Sequence, residues 1–417
     1  MSTEDRKPAV VLVIGTLDTK GPETQYLKER IEAFGCTTLV LDSGILGEAD
    51  GIVPDFSRQA VAKAAGFTID ELRNAGSRGK AVEHMLKGVR KIALDLYAAK
   101  RIHGVVALGG AEGSVLATAA MKALPLGIPK LIVSPIASGR RQFGTFIGTK
   151  DVMVMHSVVD ILGLNVVSRP IFESAASAIA GMARAYAASL VEAPPPLLRK
   201  QIAATMLGNT TRPLMWIKKR FEPLGFDLVI FHANGVGGPA MEELVDQNFF
   251  QGIIDYTLSE LAGEVAGGFH VGGPRRMENA GLRGIPLLIV PGCVDFLIFG
   301  PRHEVPAKYQ GRPSHYHNPE FTLVRVTREE QLEVARMMAN KLNTAKGKVS
   351  VMVPLRGLSI PNHENGGEFW DPETDRLFRE ELKAKLNLEI EYQEVDAHIN
   401  DESFAKAVLE TAVRLFV

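Results

Sequence analysis

The segment AVVLVIGTLDTKGPETQYLKERIEAFGC, residues 9–36, changes its hydrophobic period once. Ala9 to Ile14 is an unbroken apolar run, rich in β-branched residues, that ends at Gly15. Such a run reads as a parallel strand buried on both faces. From about Pro22 to Phe34 the apolar residues Leu27, Ile31 and Phe34 recur at three- and four-residue spacing, which predicts a helix. Gly35 stops it, as a glycine just past a helix end does. Thr38 to Leu41 is then a second short strand, closing at Asp42-Ser43-Gly44. Strand, glycine turn, helix, strand is the opening of a doubly wound α/β sheet.

Outward from that segment the pattern continues. A polar stretch from Glu48 to about Gly79 holds a short helix and ends in Ser77-Arg78-Gly79-Lys80. A long helical pattern covers 81–99. Gly104 to Leu108 is a strand, followed by Gly109-Gly110-Ala111-Glu112-Gly113-Ser114 and an Ala/Leu-rich helix. Gly127-Ile128-Pro129 precedes the strand Lys130 to Val133. Pro194-Pro195-Pro196 cannot enter a helix interior or a central strand and marks a domain boundary.

The second half repeats this order. Ile202 to Leu207 leads into Gly208-Asn209-Thr210-Thr211-Arg212, then a helix, the strand Leu228 to Phe231, and Gly235-Val236-Gly237-Gly238. Gly267 precedes Gly284-Ile285-Pro286 by 17 residues, as Gly110 precedes Gly127-Ile128-Pro129. Shared order and spacing point to an internal duplication. The predicted fold is therefore α/β: two Rossmann-like three-layer domains, at 1–190 and 201–417, joined by a Pro-rich linker at 191–200.

Composition agrees with this class. The chain has 417 residues, 46% hydrophobic and 23% charged, with a formal net charge of -1. That is enough for two sizeable cores, and it carries no electrostatic footprint for nucleic acid or a membrane surface. The two cysteines, Cys36 and Cys293, form no disulfide framework and no CxxC metal motif. The polar N-terminus lacks a signal-peptide layout, and no apolar stretch is long enough to span a bilayer. The expected compartment is the cytoplasm.

Three features of the first domain converge on phosphate. Gly15 to Gly21 lies at the carboxyl end of a strand and opens a helix, where free N–H groups and the helix dipole favour anions. Thr16 and Thr19 bring hydroxyls, and Lys20 a point charge. Asp18 suits a ribose, a Mg²⁺ ion or a helix cap. Gly109 to Ser114 also follows a strand and opens a helix; its glycines allow close backbone approach, and Ser114 can donate to phosphate. Arg78, at the start of the long helix, can reach over a polyphosphate. Neither loop is GxxxxGK[ST] or GxGxxG, and plain turn chemistry explains either one alone.

In the second domain, Asp295 with His315 and His317 is a candidate metal or acid/base group, since histidines two apart on an extended segment share a face. The competing reading is a surface loop with satisfied histidines. Cys293 reads better as a small buried hydrophobe than as a nucleophile. The acidic stretch 362–375 reads as a solvated loop and helix cap.

GTLDTKG at 15–21, LGGAEGS at 108–114, GIPKLIVSPIASG at 127–139, IGTKD at 147–151 and VVDILGLN at 158–165 together resemble one family. So do FHANGVGGPAMEELV at 231–245, IPLLIVPGCVDFLIFGP at 285–301 and HIND at 398–401. It is the uncharacterised family that includes the ATP-binding inhibitory domain of the tomato mosaic virus resistance protein. The resemblance covers nearly the whole chain. It implies two Rossmann-like domains, ATP in the first of them, and a homodimer. It also implies nucleotide contacts at Asp18, Thr19 and Lys20, at the glycine turn Gly110, Ala111, Glu112 and Gly113, at Arg78, and at Ser43.

Two functions follow as expectations. The first is an ATP-binding protein whose nucleotide, with Mg²⁺ as an accompanying ion, sits on the glycine turns. The alternative is an ATP-dependent or metal-dependent enzyme acting on a small acidic metabolite in the C-terminal domain or between domains.

Overall fold

The computed structural model describes residues 7–137, 147–191 and 199–417. The chain divides into two compact units, residues 1–195 and 196–417. Of the linker expected at 191–200, residues 192–198 lie outside the described residues.

The first unit runs β1 (Val10–Gly15), α1 (Leu17–Ala33), β2 (Thr37–Asp42), α2 (Arg58–Ala64), α3 (Ile69–Arg73), α4 (Arg78–Ala98), β3 (Gly104–Leu108), α5 (Ala111–Ala123), β4 (Lys130–Ser134), β5 (Met153–His156) and α6 (Ser168–Ser189). Its sheet has the order β2-β1-β3-β4-β5, with every pairing parallel. Successive strand residues face opposite layers. Val11 and Val13 pack with Leu27, Ile31, Phe172 and Ile179 of α1 and α6. Leu12 and Ile14 pack with Met85, Val89, Leu116 and Met121 of α4 and α5. This is why the strands read as continuous apolar runs: both faces are covered.

Helix α1 begins one turn before the Pro22 start that the sequence suggests. Leu17 is fully buried, and its N–H donates to Asp42 Oδ1 at 3.2 Å. The helical geometry breaks at Lys20 (φ -131°) and resumes before Pro22. A proline near the start of a helical stretch costs no hydrogen bond. The polar stretch after β2 folds into α2 and α3, capped by Ser57 and Thr68.

The second unit runs β6 (Lys200–Met206), α7 (Thr211–Phe221), β7 (Phe226–His232), α8 (Gly237–Asp246), β8 (Gly252–Thr257), α9 (Ser259–Ala266), α10 (Asn279–Leu282), β9 (Leu287–Gly292), β10 (Phe296–Phe299), β11 (Ser314–Asn318), β12 (Phe321–Arg325), α11 (Arg328–Leu342), β13 (Val349–Pro354), α12 (Pro372–Lys385), β14 (Glu391–Val395) and α13 (Glu402–Phe416). The parallel sheet is ordered β14-β13-β9-β8-β6-β7. Numbered within that sheet, its strands run 2-1-3-4-5-6, the order of the first unit with one strand added. Each unit is thus a Rossmann-like α/β domain.

A three-stranded antiparallel sheet, β10-β12-β11, is inserted after β9. The histidine-bearing segment expected as a loop lies partly on it: His315 pairs with Leu323 across the ladder. The stretch 362–375 is also not simply solvated. Asp371 does cap α12, but Asn362 and Phe369 are buried, and buried Asp375 accepts from Arg325 and Gln331.

Candidate functional site

In an open sheet ordered 2-1-3-4-5 the chain reverses direction between β1 and β3, and ligands bind beyond the carboxyl ends of the strands at that point. A cavity of about 780 Å³ lies there. Thr16, Asp18, Thr19 and Lys20 line it after β1, Ser43 to Leu46 after β2, and Gly110 to Gly113 after β3. Pro135 and Asp160 complete the wall.

Each lining side chain is held by identifiable contacts. Asp18 Oδ2 accepts the N–H groups of Leu46 (3.2 Å) and Gly47 (3.0 Å), so this carboxylate braces the loop after β2. On the other side of the loop, Arg73 donates to the carbonyls of Ile45 and Leu46 at 3.3 and 2.8 Å. Arg58, buried at 2% exposure, pairs with Glu48. Beneath the loop, Asp42 Oδ1 accepts from Leu17 N and Gly44 N. Burial pushes the Asp42 carboxyl above its ordinary range, and the two N–H donors oppose that. Ser43 is buried, and its hydroxyl donates to the Gly15 carbonyl at 3.1 Å. The Thr16 and Thr19 hydroxyls lie 3.1 Å apart, and Lys20 Nζ donates to the Ile161 carbonyl.

The structure brings together eight of the ten predicted residues: Asp18, Thr19, Lys20, Ser43, Gly110, Ala111, Glu112 and Gly113. Ser114 does not line the cavity. It is 1% exposed, donates to the Gly109 carbonyl (3.1 Å), and shares a 2.8 Å hydrogen bond with Ser134. One residue further along the helix than Gly113, it points into the sheet. Arg78 opens α4, and its side chain lies outside the described residues. Sequence reasoning missed Asp42, Arg58 and Arg73, which fix the loop from elements up to 31 residues apart.

The glycines of the turn after β3 have different reasons. At Gly109 a Cβ would lie 2.6 Å from Gly113 C and 2.7 Å from Ser114 N, so the tight turn itself excludes a side chain. At Gly110, with φ -65°, nothing lies within 4 Å of an added Cβ. At Gly113, inside the first turn of α5, the nearest neighbour would be 3.8 Å away, an ordinary contact. The fold therefore needs no glycine at 110 or 113. Gly110 also leaves α5 without a side-chain cap.

The glycine turn of the second unit contrasts with this. Glu260 Oε1 accepts from Gly235 N (2.8 Å) and Gly238 N (3.1 Å), and a Cβ on Gly238 would collide with Glu260 Oε2. That turn is filled by the protein's own carboxylate. Glu260 in turn binds Arg276, which is fully buried and also grips Asp255 with two hydrogen bonds of 2.6 and 2.7 Å. Glu242 lies 3.6 Å from Arg276, and burial pushes its carboxyl up to about 7.

The group Asp295, His315 and His317 is not assembled. Asp295 is fully buried and accepts from Ser359; His315 bonds Glu368 at 3.0 Å, and His317 is exposed. Among the described residues no group of three or more His, Cys, Asp or Glu is placed to hold a metal ion. Cys293 is fully buried, and burial holds its thiol well above its ordinary value, which removes the thiolate a nucleophile needs.

Family comparison fits this two-unit architecture. Residues 9–188 match the N-terminal domain, and residues 199–416 the C-terminal domain, of the Uncharacterised protein family (UPF0261). The chain belongs to this family. A UPF0261 protein of Clostridium tetani is 38% identical over 406 residues, covering 97% of this chain and 98% of its own. One from Brucella suis is 34% identical over 400 residues, covering 96% and 94%. The ToMV resistance protein Tm-1(GCR237) of Solanum lycopersicum is 32% identical over 431 residues, spanning all of this chain and 57% of the tomato protein. Among the described residues no helix is long and apolar enough to cross a membrane.

Proposed function

We propose that this UPF0261 protein binds ATP, as its Mg²⁺ complex, in the cavity beyond β1, β2 and β3. The observation that carries the reading is Gly113, inside the first turn of α5, with the open backbone of Gly110 at the N-cap beside it. Glycine in a helix is about 1 kcal/mol worse than alanine, so a glycine that packing does not demand is a cost to the fold. A backbone that must approach a phosphate explains it. Two helix N-termini, those of α1 and α5, open onto the cavity; neither N-cap residue makes a side-chain cap bond, although Asp42 takes the Leu17 N–H of α1. Its volume of about 780 Å³ is within the range of small-molecule sites.

The charge balance favours the magnesium complex over free nucleotide. Asp18, Glu112 and Asp160 line the cavity alongside a single described cation, Lys20. The carboxylates of Asp18 and Asp160 oppose the charge of a polyphosphate, and a divalent ion carried with it offsets part of that charge. When bound, Mg²⁺ would supply positive charge against the phosphates, and Asp18 and Glu112 are the lining carboxylates that would hold it. Homodimerisation and residence in the cytoplasm belong to the same proposal; two buried free cysteines suit a reducing compartment.

The test is calorimetric titration of ATP, with and without Mg²⁺, into the wild type and Lys20→Ala. The expected result is saturable binding that requires Mg²⁺ and weakens by roughly 1.5–3 kcal/mol in the variant, the scale of a hydrogen bond to a charged group. Absence of saturable binding in either buffer overturns the reading.

A further inference from the structure

The second unit has its own cavity at the carboxyl edge of its parallel sheet, of about 470 Å³. It is formed where three strand ends meet. Gly208 and Arg212 follow β6, the segment 356–365 follows β13, and His398 to Asp401 follows β14. The segment after β13 crosses the top of the sheet: Leu358 O accepts from Cys293 N beyond β9, and Ile360 N donates to Asn209 Oδ1 beyond β6. Gly357, at φ +126°, is fixed by the turn, since a Cβ there would strike the Asn362 carbonyl. The cavity floor is therefore preorganised.

The polar groups around it divide into used and unused. His398 donates from Nε2 to the Ser359 carbonyl (2.9 Å) and accepts at Nδ1 from Asn400 N (3.1 Å), so both ring nitrogens are committed. Arg356 is committed to Asp396 by two hydrogen bonds of 2.8 and 2.9 Å. Besides the Glu364 carboxylate, which lies 3.8 Å from Arg356, the Asn365 side-chain amide and Asn400 Oδ1, four groups remain without a hydrogen-bonding partner among the described residues. They are the Arg212 guanidinium, Asn400 Nδ2, the Nε2 of His363 (whose Nδ1 accepts from Asn365 N) and Asp401 Oδ1. Asn400 Nδ2 is buried, and a buried donor left unpaired is costly unless a ligand takes it.

We propose that this cavity is a second ligand site and that its ligand is a small hydroxylated carboxylate, of the sugar-acid kind. Arg212 offers a planar fork that matches a carboxylate. Asn400 and His363 add donors, and Asp401 can only accept, which suits a hydroxyl group. Apart from Gly208 and Ile360, every lining residue carries a polar or charged group that can meet such a ligand. The site is independent of the nucleotide cavity, and its test does not involve ATP.

The experiment is ligand-observed NMR and calorimetry on the full-length chain with gluconate and glycerate, against acetate, glucose, serine and inorganic phosphate. Gluconate or glycerate is expected to bind at least tenfold more tightly than any of the other four. Arg212→Gln, a change at an exposed residue, should weaken that binding tenfold or more without moving the melting temperature. Asn400→Ala should weaken it at least threefold while leaving the melting temperature of the unliganded protein unchanged or raised, because it removes an unpaired donor. A purely structural asparagine would lower it. Failure of both hydroxy acids to bind, tighter binding of serine or phosphate, or full affinity in Arg212→Gln each overturns the proposal.

Discussion

Replacing Gly113 with alanine should make the protein more stable and a worse nucleotide binder. The residue occupies the first turn of α5, and a Cβ there would sit 3.8 Å from the Leu108 carbonyl and 3.9 Å from Thr16 Cγ2, both ordinary contacts. Alanine restricts the unfolded chain and removes the glycine penalty, a gain of about 0.5–1 kcal/mol. For a unit of this size that raises the melting temperature by roughly 1–4 °C. The same methyl group stands at the wall of the cavity. An intruding methyl in a close-fitting site costs about 1–3 kcal/mol of binding, roughly tenfold or more in Kd. Scanning calorimetry gives the first quantity and ATP titration the second. Gly109→Ala is the contrast: its Cβ would lie 2.6 Å from backbone carbon, so it should lower stability by about 1–3 kcal/mol. If Gly113→Ala binds MgATP as tightly as the wild type, the argument from unneeded glycines is refuted. If it destabilises the protein, the packing argument beneath it is wrong.

Four further outcomes are expected. Ser114→Ala should cost about 1 kcal/mol of stability through its lost hydrogen bonds and leave nucleotide affinity unchanged, read by denaturant unfolding and the same titration. Arg276→Met should destabilise the second unit by about 3–5 kcal/mol, because it leaves Asp255 and Glu260 buried without their cation; unfolding within 1 kcal/mol of wild type would contradict this. His270 is held neutral chiefly by burial, its ring lowered to about 4. The unfolded chain binds a proton there first, so this stability is present above about pH 6.5 and is lost as pH falls toward 4, by up to about 3 kcal/mol; His270→Gln should flatten that limb of a stability–pH curve. Glu242 has the opposite sign: with its carboxyl raised to about 7, its contribution is present below about pH 4.5 and declines as pH rises through 7. Glu242→Gln should remove that decline.

Much of this was legible in the sequence because parallel strands covered on both faces read as apolar runs, and each run ended in the residues that became the cavity wall. Gly15 to Lys20, Asp42 to Gly44 and Gly109 to Gly113 were all visible as strand-end turns. What stayed hidden depended on partners distant in sequence. Leu17 enters the helix early because Asp42, 25 residues on, accepts its N–H. Ser114 faces inward because Ser134 waits there, 20 residues on. Gly110 and Gly238 look alike as letters, yet one faces open space and the other is filled by Glu260. The acidic stretch 362–375 reads as solvated because nothing local reveals that Arg325 and Gln331 draw Asp375, in the first turn of α12, inward.

Hydrogen exchange across the whole chain, with and without MgATP, locates the nucleotide most directly. The account predicts slowed exchange in three separate segments, 16–21, 43–47 and 110–114, which meet at the carboxyl ends of β1, β2 and β3. Protection confined to the second unit, or absent from all three segments at saturating MgATP, would contradict it.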